Sequence, residues 1–169
     1  RHQQHFEALK EKEQRNLDEK TVICEIVEAM EYDTFTTFQD WENKTQEIIA
    51  LQAKWKTIGY APQKMNVKIF ERFRAACDVY FEKKSEFYKA IKSDMEKNLD
   101  AKRALCEKAE ALKDSTDWKD TTDKMIALQK EWKTIGPVAR KHSDAVWKRF
   151  ISACDYFFEQ KNKNVVSQK

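Results

Sequence analysis

Few side chains in this sequence combine the residue type and the spacing that catalysis or metal binding requires. The three histidines are His2, His5 and His142. His2 and His5 could share one helix face and hold a metal ion, but solvated side chains are the simpler interpretation of all three. The sequence contains no Gly-rich phosphate loop, no H-E-x-x-H and no G-x-S-x-G motif. We therefore predict that the chain is not an enzyme and that it has no catalytic residues, no metal and no cofactor.

The cysteines also lack the spacing of a chemical site. They are far apart and include no C-x-x-C pair, which argues against a zinc site. Free cysteine is among the most buried residue types, so we predict four reduced core residues in a cytoplasmic protein. No apolar run approaches the ~18 residues of a membrane span, and no signal region opens the sequence, so no membrane contact is expected. The four are Cys24, Cys77, Cys106 and Cys154.

Positive charge is concentrated in two segments of a chain whose net charge is only +3. Residues 54–74 carry a local +5 and residues 130–150 a local +4. Two interpretations are open: solvated cations near helix C-termini, where the helix dipole favours them, or a recurring site for phosphate groups. The predicted polyanion-binding residues are Lys56, Lys64, Arg72, Lys133, Arg140, Lys141 and Arg149.

Aromatic residues offer a second kind of contact. The five tryptophans, at positions 41, 55, 118, 132 and 147, fall on helical stripes with aliphatic neighbours. We therefore predict that they pack in the core and do not serve as stacking platforms for bases. Tyr32, Phe35 and Phe38 lie outside the regular pattern. They either cap the end of a helical bundle or form an exposed contact for a partner.

These features are arranged in an internal repeat. Residues 41–84 match residues 118–161 at a constant offset of 77 (118 minus 41), and twenty of the 44 pairs are identical. Upstream, residues 16–18 match residues 98–100 at an offset of 82 (98 minus 16). The first copy therefore contains an insertion of five residues (82 minus 77), located within residues 32–40.

Composition and periodicity predict an all-α fold. Two glycines, two prolines and 36% charged residues imply a few long elements around a narrow core. Each copy is interpreted as three helices, A, B and C, with helix A of the first copy at about residues 3–31 and helix B starting near Trp41 or Trp118. The expected N-caps of helix B are Thr37 or Asp40 in the first copy and Ser115 or Asp117 in the second.

The link between helices B and C contains residues with special backbone roles. Gly59 and Gly136 are the only glycines, and we expect them to end helix B in the left-handed conformation. Asn66 and Ser143 are the predicted N-caps of helix C. The apolar stripe of helix C is expected to pack in the core. It consists of Ile69, Phe70, Phe73, Cys77, Tyr80 and Phe81 in the first copy, and of Val146, Trp147, Phe150, Cys154, Phe157 and Phe158 in the second.

Residues 66 to about 112 are predicted to form one continuous helix, because they include no Gly or Pro and keep an apolar residue every three or four positions. This helix would contain helix C of the first copy and helix A of the second. It would join two three-helix repeats of about 77 residues, 1–88 and 89–169, into an elongated molecule. Because the first residue is Arg1 and not Met, we expect the chain to be part of a longer protein.

The motif L-Q-x-x-W-K-T-I-G occurs at residues 51–59 and 128–136, and in both copies a helix containing F-x-x-A-C-D-x-x-F follows it. This pair of motifs resembles the bacterial domain-of-unknown-function family 349, whose unit occurs singly or in tandem arrays. The second copy, with W-K-T-I-G-P-V-A-R at residues 132–140, is more similar to the usual turn of that family. The resemblance implies a helical repeat but no particular activity.

From these features we expect a non-enzymatic interaction or scaffolding module from a longer bacterial array. Its contacts would be a protein partner and the neighbouring repeats of the same chain. The alternative is that the basic turns of both copies bind RNA, or a ribonucleoprotein such as the ribosome.

Overall fold

The computed structural model describes residues 2–168, with the side chains of residues 2–164. None of residues 2–168 is in a β-strand, so the predicted all-α class is confirmed. The elements in chain order are α1 (His2–Glu28), a 3₁₀ turn (Tyr32–Thr34), α2 (Phe38–Thr57), α3 (Gln63–Leu112), α4 (Trp118–Thr134) and α5 (Arg140–Gln168).

The predicted long helix is confirmed. Helix α3 runs for 50 residues, Gln63–Leu112, without interruption. No Gly or Pro occurs within it, so no residue removes a backbone donor or favours a break. The helix starts three residues before Asn66 and ends where it was expected to end.

The chain divides into two compact units, Arg1–Phe87 and Tyr88–Lys169, and the division falls inside α3. Unit 1 contains α1, the 3₁₀ turn, α2 and the first half of α3. Unit 2 contains the second half of α3, then α4 and α5. Each unit thus has the three helices that the repeat predicts.

The core of each unit is a narrow stripe of apolar residues between its three helices, and it includes all four cysteines, which are free and buried. The core positions of the cysteines are confirmed. In unit 1 the buried apolar residues are Ile23, Cys24, Val27, Phe35, Trp41, Ile48, Trp55, Ala61, Ile69, Phe73, Ala76, Cys77 and Tyr80. In unit 2 they are Leu99, Leu105, Cys106, Ala109, Met125, Leu128, Val138, Val146, Phe150, Ala153, Cys154 and Phe157.

The middle helix of each unit begins at one of the expected caps. Thr37 is the N-cap of α2, and its hydroxyl accepts a hydrogen bond from the Asp40 backbone N–H at 3.1 Å. The Asp40 carboxylate in turn accepts from the Thr37 backbone N–H, which completes a capping box. In unit 2 the N-cap of α4 is Asp117, whose carboxylate accepts from the Asp120 backbone N–H.

Asn66 and Ser143 are not N-caps, so that prediction is wrong. Helices α3 and α5 begin at Gln63 and Arg140, three residues earlier in each case. The Pro62 carbonyl already accepts from the backbone N–H of Asn66, at 3.0 Å. The Asn66 side chain is used differently: its Oδ1 accepts a hydrogen bond from the Ala61 backbone N–H at 3.2 Å, within the link that precedes the helix.

The prediction of left-handed glycines is also wrong, since neither Gly59 nor Gly136 has a positive φ. The helices end earlier, at Thr57 and Thr134, and the residue after each has an extended backbone that leads the chain away from the helix. Gly is needed here because a side chain approaches closely. A Cβ at Gly59 would lie 2.9 Å from Nδ2 of Asn16, and a Cβ at Gly136 would lie 2.9 Å from Nδ2 of Asn98.

Candidate binding surface at the repeated turn

The links between α2 and α3 (residues 58–62) and between α4 and α5 (residues 135–139) are here called turn 1 and turn 2. Each is held by an asparagine from the first helix of its unit. Asn16 Nδ2 donates to the Tyr60 carbonyl at 2.9 Å, and Asn98 Nδ2 donates to the Pro137 carbonyl at 2.8 Å. A glycine beside each carbonyl leaves the room that the amide group needs.

An arginine–glutamate pair joins the first and third helices of each unit, about three helical turns away from the asparagine that contacts the turn. Arg72 donates two hydrogen bonds to the Glu28 carboxylate, at 2.9 and 2.7 Å, and Arg149 makes the same pair with Glu110, at 3.0 and 2.7 Å. Hydrogen bonding from the arginine lowers the pKa of each of the two glutamates. The charges of both arginines are thus already balanced within the protein.

A lysine–tryptophan–phenylalanine stack forms the third repeated feature. In unit 1 the Lys20 ammonium lies 5.1 Å from the centroid of the Trp55 ring, which stacks on Phe73 with centroids 4.4 Å apart. Cations over an indole face are attracted by its quadrupole. Unit 2 repeats the stack with Lys102, Trp132 and Phe150, at 4.9 and 4.5 Å.

The other predicted polyanion-binding residues remain available at the surface. Lys56 and Lys64 lie on either side of turn 1, and Lys133, Arg140 and Lys141 lie on either side of turn 2; all five are exposed. Within residues 2–164, none of the five takes part in a salt bridge. The structure therefore separates the seven predicted cations into two paired arginines and five unpaired residues at the turns.

Three of the aromatic residues expected in the core, Phe70, Trp147 and Phe81, are partly on the surface, so those predictions are wrong. Phe70 is 50% exposed and Trp147, its counterpart in unit 2, is 46% exposed. Both follow the first turn of their helix, where the core is already filled by Ile69 or Val146. Tyr60, in turn 1, is 78% exposed. Phe81 also departs from the predicted core, at 40% exposed.

One cleft lies beside Phe70 in unit 1, and another lies beside Trp147 in unit 2. In unit 1 a cleft of about 450 Å³ is lined by turn 1 together with Lys20, Trp55, Lys56 and Phe70. In unit 2 a cleft of about 310 Å³ is lined by Gln129, Trp132, Lys133, Trp147, Phe150 and Ile151. Cationic and aromatic side chains therefore line a cleft in each unit.

The three aromatic residues of the inserted segment lie near one end of unit 1. Phe35 is buried, and its ring meets that of Trp41 edge-on with centroids 4.9 Å apart. Tyr32 is half-buried and stacks on the same indole at 6.1 Å. Phe38 is 45% exposed and contacts Phe87 edge-on. Tyr32 and Phe35 thus extend the aromatic core around Trp41.

Sequence reasoning did not identify Lys20, Asn16 or their counterparts as parts of this surface. Lys20 and Lys102 match at the offset of 82 (102 minus 20) that relates the first helices of the two units, as do Asn16 and Asn98. A lysine repeated within an apolar stripe was the signal that could have indicated a role beyond solvation.

Comparison with known families agrees with this repeated architecture. The family described as Domain of Unknown Function (DUF349) matches residues 1–64 and 68–141. The chain belongs to this family. No curated protein and no solved structure matches it.

The two DUF349 matches end at equivalent positions, Lys64 and Lys141, just after turn 1 and turn 2 (141 minus 64 is 77). Each matched segment therefore includes the first and middle helices of a unit and the turn that follows them. Among the described helices of this DUF349 protein, none is both long enough and apolar enough to cross a membrane.

Proposed function

We propose that this DUF349 chain is a non-enzymatic interaction module, and that turn 1 and turn 2 are the surfaces through which it binds a partner. The observation that carries the proposal is the repeated arrangement at these turns. In each unit an asparagine holds the turn backbone in place, while unpaired cations and an aromatic ring face the solvent. A partner that meets both turns would find similar chemistry at each.

The partner that this chemistry fits best is single-stranded RNA. Lysine and arginine neutralise phosphates, and aromatic rings accept stacked bases with little dependence on sequence. A duplex keeps its bases paired and stacked, so the exposed rings of Tyr60, Phe70 and Trp147 would contribute less to its binding.

A protein partner is the second candidate, and the surface of α1 favours it. Val22 and Ile26 are about half exposed and stand four residues apart, so they share one face of the helix. Phe6 and Leu9, also about half exposed, add apolar surface nearer the start of the same helix. An apolar surface of this kind is typical of a protein contact.

Binding of the whole chain to a labelled single-stranded RNA, measured over a series of salt concentrations, tests the proposal. We expect affinity to fall with salt, with a log–log slope of about −0.7 for each phosphate neutralised. A matched variant, Val22→Ser together with Ile26→Ser, should bind RNA normally because it leaves both turns unchanged. If RNA does not bind at low salt while a captured protein depends on Val22 and Ile26, the protein candidate replaces the RNA candidate.

A further inference from the structure

Lys20 is an unusual residue of unit 1, because it is a lysine with only 6% of its surface exposed. It lies on α1 three and four residues before the buried Ile23 and Cys24, and its ammonium lies over the Trp55 ring. Within residues 2–164 no carboxylate pairs with it and no carbonyl accepts from it. Burial lowers the pKa of this ammonium. A cation with so little water and no counter-ion favours an anion that enters from outside.

The place where an anion could enter is the cleft of about 450 Å³ beside turn 1, which Lys20 itself lines. Lys56 lies on the wall of the same cleft and is exposed, so a second positive charge is available to the same ligand. The cleft volume is within the range of about 300 to 1,000 Å³ that small-ligand sites occupy.

Two exposed aromatic residues complete the lining. Tyr60 and Phe70 both border the cleft, and both are exposed to solvent, Tyr60 more so than Phe70. Solvent-exposed rings beside cations suit a ligand that has a planar apolar part and a negative part. A free inorganic anion or an acidic side chain would use the cations and leave the rings unused, whereas a nucleotide would use both.

We propose that this cleft holds one nucleotide of a single-stranded RNA, with a phosphate at Lys20 and Lys56 and the base against Phe70 or Tyr60. The inference rests on the proposed function and makes it specific, since it assigns one position on the protein to one nucleotide. In unit 2 the ring of Trp147 and the cation of Lys133 line the smaller cleft, while turn 2 has Pro137 at the position of Tyr60. Unit 1 is therefore the stronger of the two nucleotide sites.

The test measures the affinity of the full chain for an oligouridylate and for an abasic ribose–phosphate strand of the same length. All proteins carry Trp147→Ala, so that unit 2 does not mask the result. At least one of Phe70→Ala and Tyr60→Ala should weaken oligouridylate binding about fivefold or more, as expected for a lost base stack, and both should leave abasic binding unchanged. The control Phe6→Ala removes an equally exposed ring of α1 and should change neither.

A second pair of variants tests the buried cation. Lys20→Met keeps the apolar stem and removes the charge, and it should weaken binding of both strands. Lys12→Met, at an exposed position of the same helix, should have a much smaller effect. Melting curves from circular dichroism show whether Lys20→Met is folded. If it is not, the exposed positions Phe70 and Tyr60 decide the matter alone.

Several results would overturn the nucleotide site. One is abasic binding as tight as oligouridylate binding. Another is unchanged oligouridylate affinity in both ring variants, and a third is displacement of the oligouridylate by polyglutamate of equal charge. Any of these results would leave the turns as a general polyanion-binding surface. A complete absence of RNA binding is a different outcome, because it would also contradict the proposed binding of RNA by the turns.

Discussion

An asparagine amide and a glycine occupy the same small space at each turn, and this arrangement makes a residue-scale prediction. In Gly59→Ala the new Cβ would displace the Asn16 amide and break its hydrogen bond to the Tyr60 carbonyl, a loss of about 1 kcal/mol. In an Asn16→Ala background that conflict is gone, so the same change should stabilise by about 0.4 to 1 kcal/mol, because alanine has fewer unfolded conformations than glycine. Urea unfolding of the single and double variants gives the coupling free energy between positions 16 and 59.

The alternative explanation of this glycine makes the opposite prediction. If Gly59 were required for a left-handed backbone, alanine would destabilise the protein equally whether or not Asn16 is present. A coupling free energy near zero with a large cost in both backgrounds would therefore contradict the close-approach explanation. Gly136 and Asn98 provide an independent second measurement in unit 2.

The thiols give a second residue-scale prediction. Burial raises the pKa of Cys24 to about 11 and also raises the pKa values of Cys77, Cys106 and Cys154. Because the thiolate is the reactive form, iodoacetamide near the ordinary thiol pKa of about 8.5 should modify none of them in the folded protein and all four in guanidinium. Mass spectrometry counts the adducts. A thiol introduced as Ser85→Cys, at an exposed position, is the reactive control. Native cysteines that react as fast would contradict their burial.

At the scale of elements, the arginine–glutamate pairs tie α1 to α3 in unit 1 and α3 to α5 in unit 2. The pairing lowers the pKa of Glu28 in the folded protein. Its contribution to stability is therefore complete above the ordinary glutamate pKa of about 4.3, and it is lost as the pH falls through the lowered folded value. Glu28→Gln should destabilise the protein at neutral pH and have a smaller effect in acid. Both partners are about 40% exposed, so salt should also reduce the effect.

Unfolding free energies of Glu28→Gln and of the parent, measured from neutral to acidic pH, check this prediction. Glu19→Gln removes a carboxylate from an exposed position of the same helix and is the matched control. A difference between Glu28→Gln and the parent that grows as the pH falls would have the wrong sign for a lowered pKa.

The sequence predicted which elements form and less reliably where they begin and end. The Thr37 cap followed from a local pattern, because the residues that satisfy the first backbone donors of a helix are close in sequence. The starts of α3 and α5 did not, since Asn66 uses its side chain within the link instead of at a cap. The exposure of Phe70 and Trp147 could not be read from periodicity either. An apolar stripe is wider than the core that three helices leave between them, and only the packing shows which members are excluded.

At the scale of the whole molecule, α3 supplies the third helix of unit 1 and the first helix of unit 2. Ile91→Pro, near the division between the units, would remove one backbone hydrogen bond and clash with the preceding turn of the helix. The expected cost is ~3 kcal/mol or more. Ile91→Ala is the control, since it removes only a half-buried side chain. Guanidinium unfolding followed by circular dichroism distinguishes the two. Equal midpoints for the proline and alanine variants would argue against an uninterrupted helix at this position.

The sequence predicted where the candidate binding surface lies, but not which of its charged residues are paired within the protein. Repetition of the charge pattern identified both turns, because similar sequences fold into similar turns. It could not show that Arg72 and Arg149 are paired with glutamates from another helix, since those contacts join residues 44 and 39 positions apart. Nor could it show that the Lys102 ammonium lies over the Trp132 ring, since these residues are on different helices.

The most direct measurement of the proposed function compares two triple charge reversals for binding to single-stranded RNA at low salt. One is Lys133→Glu, Arg140→Glu and Lys141→Glu at turn 2. The other is Lys92→Glu, Lys97→Glu and Arg103→Glu, at exposed positions of α3. Both change the net charge equally, so long-range attraction is matched. We predict that the turn variant loses more of its affinity than the α3 variant, while the intact turn 1 keeps part of the binding. Equal losses in the two variants, or no RNA binding by the parent, would contradict recognition at the turns.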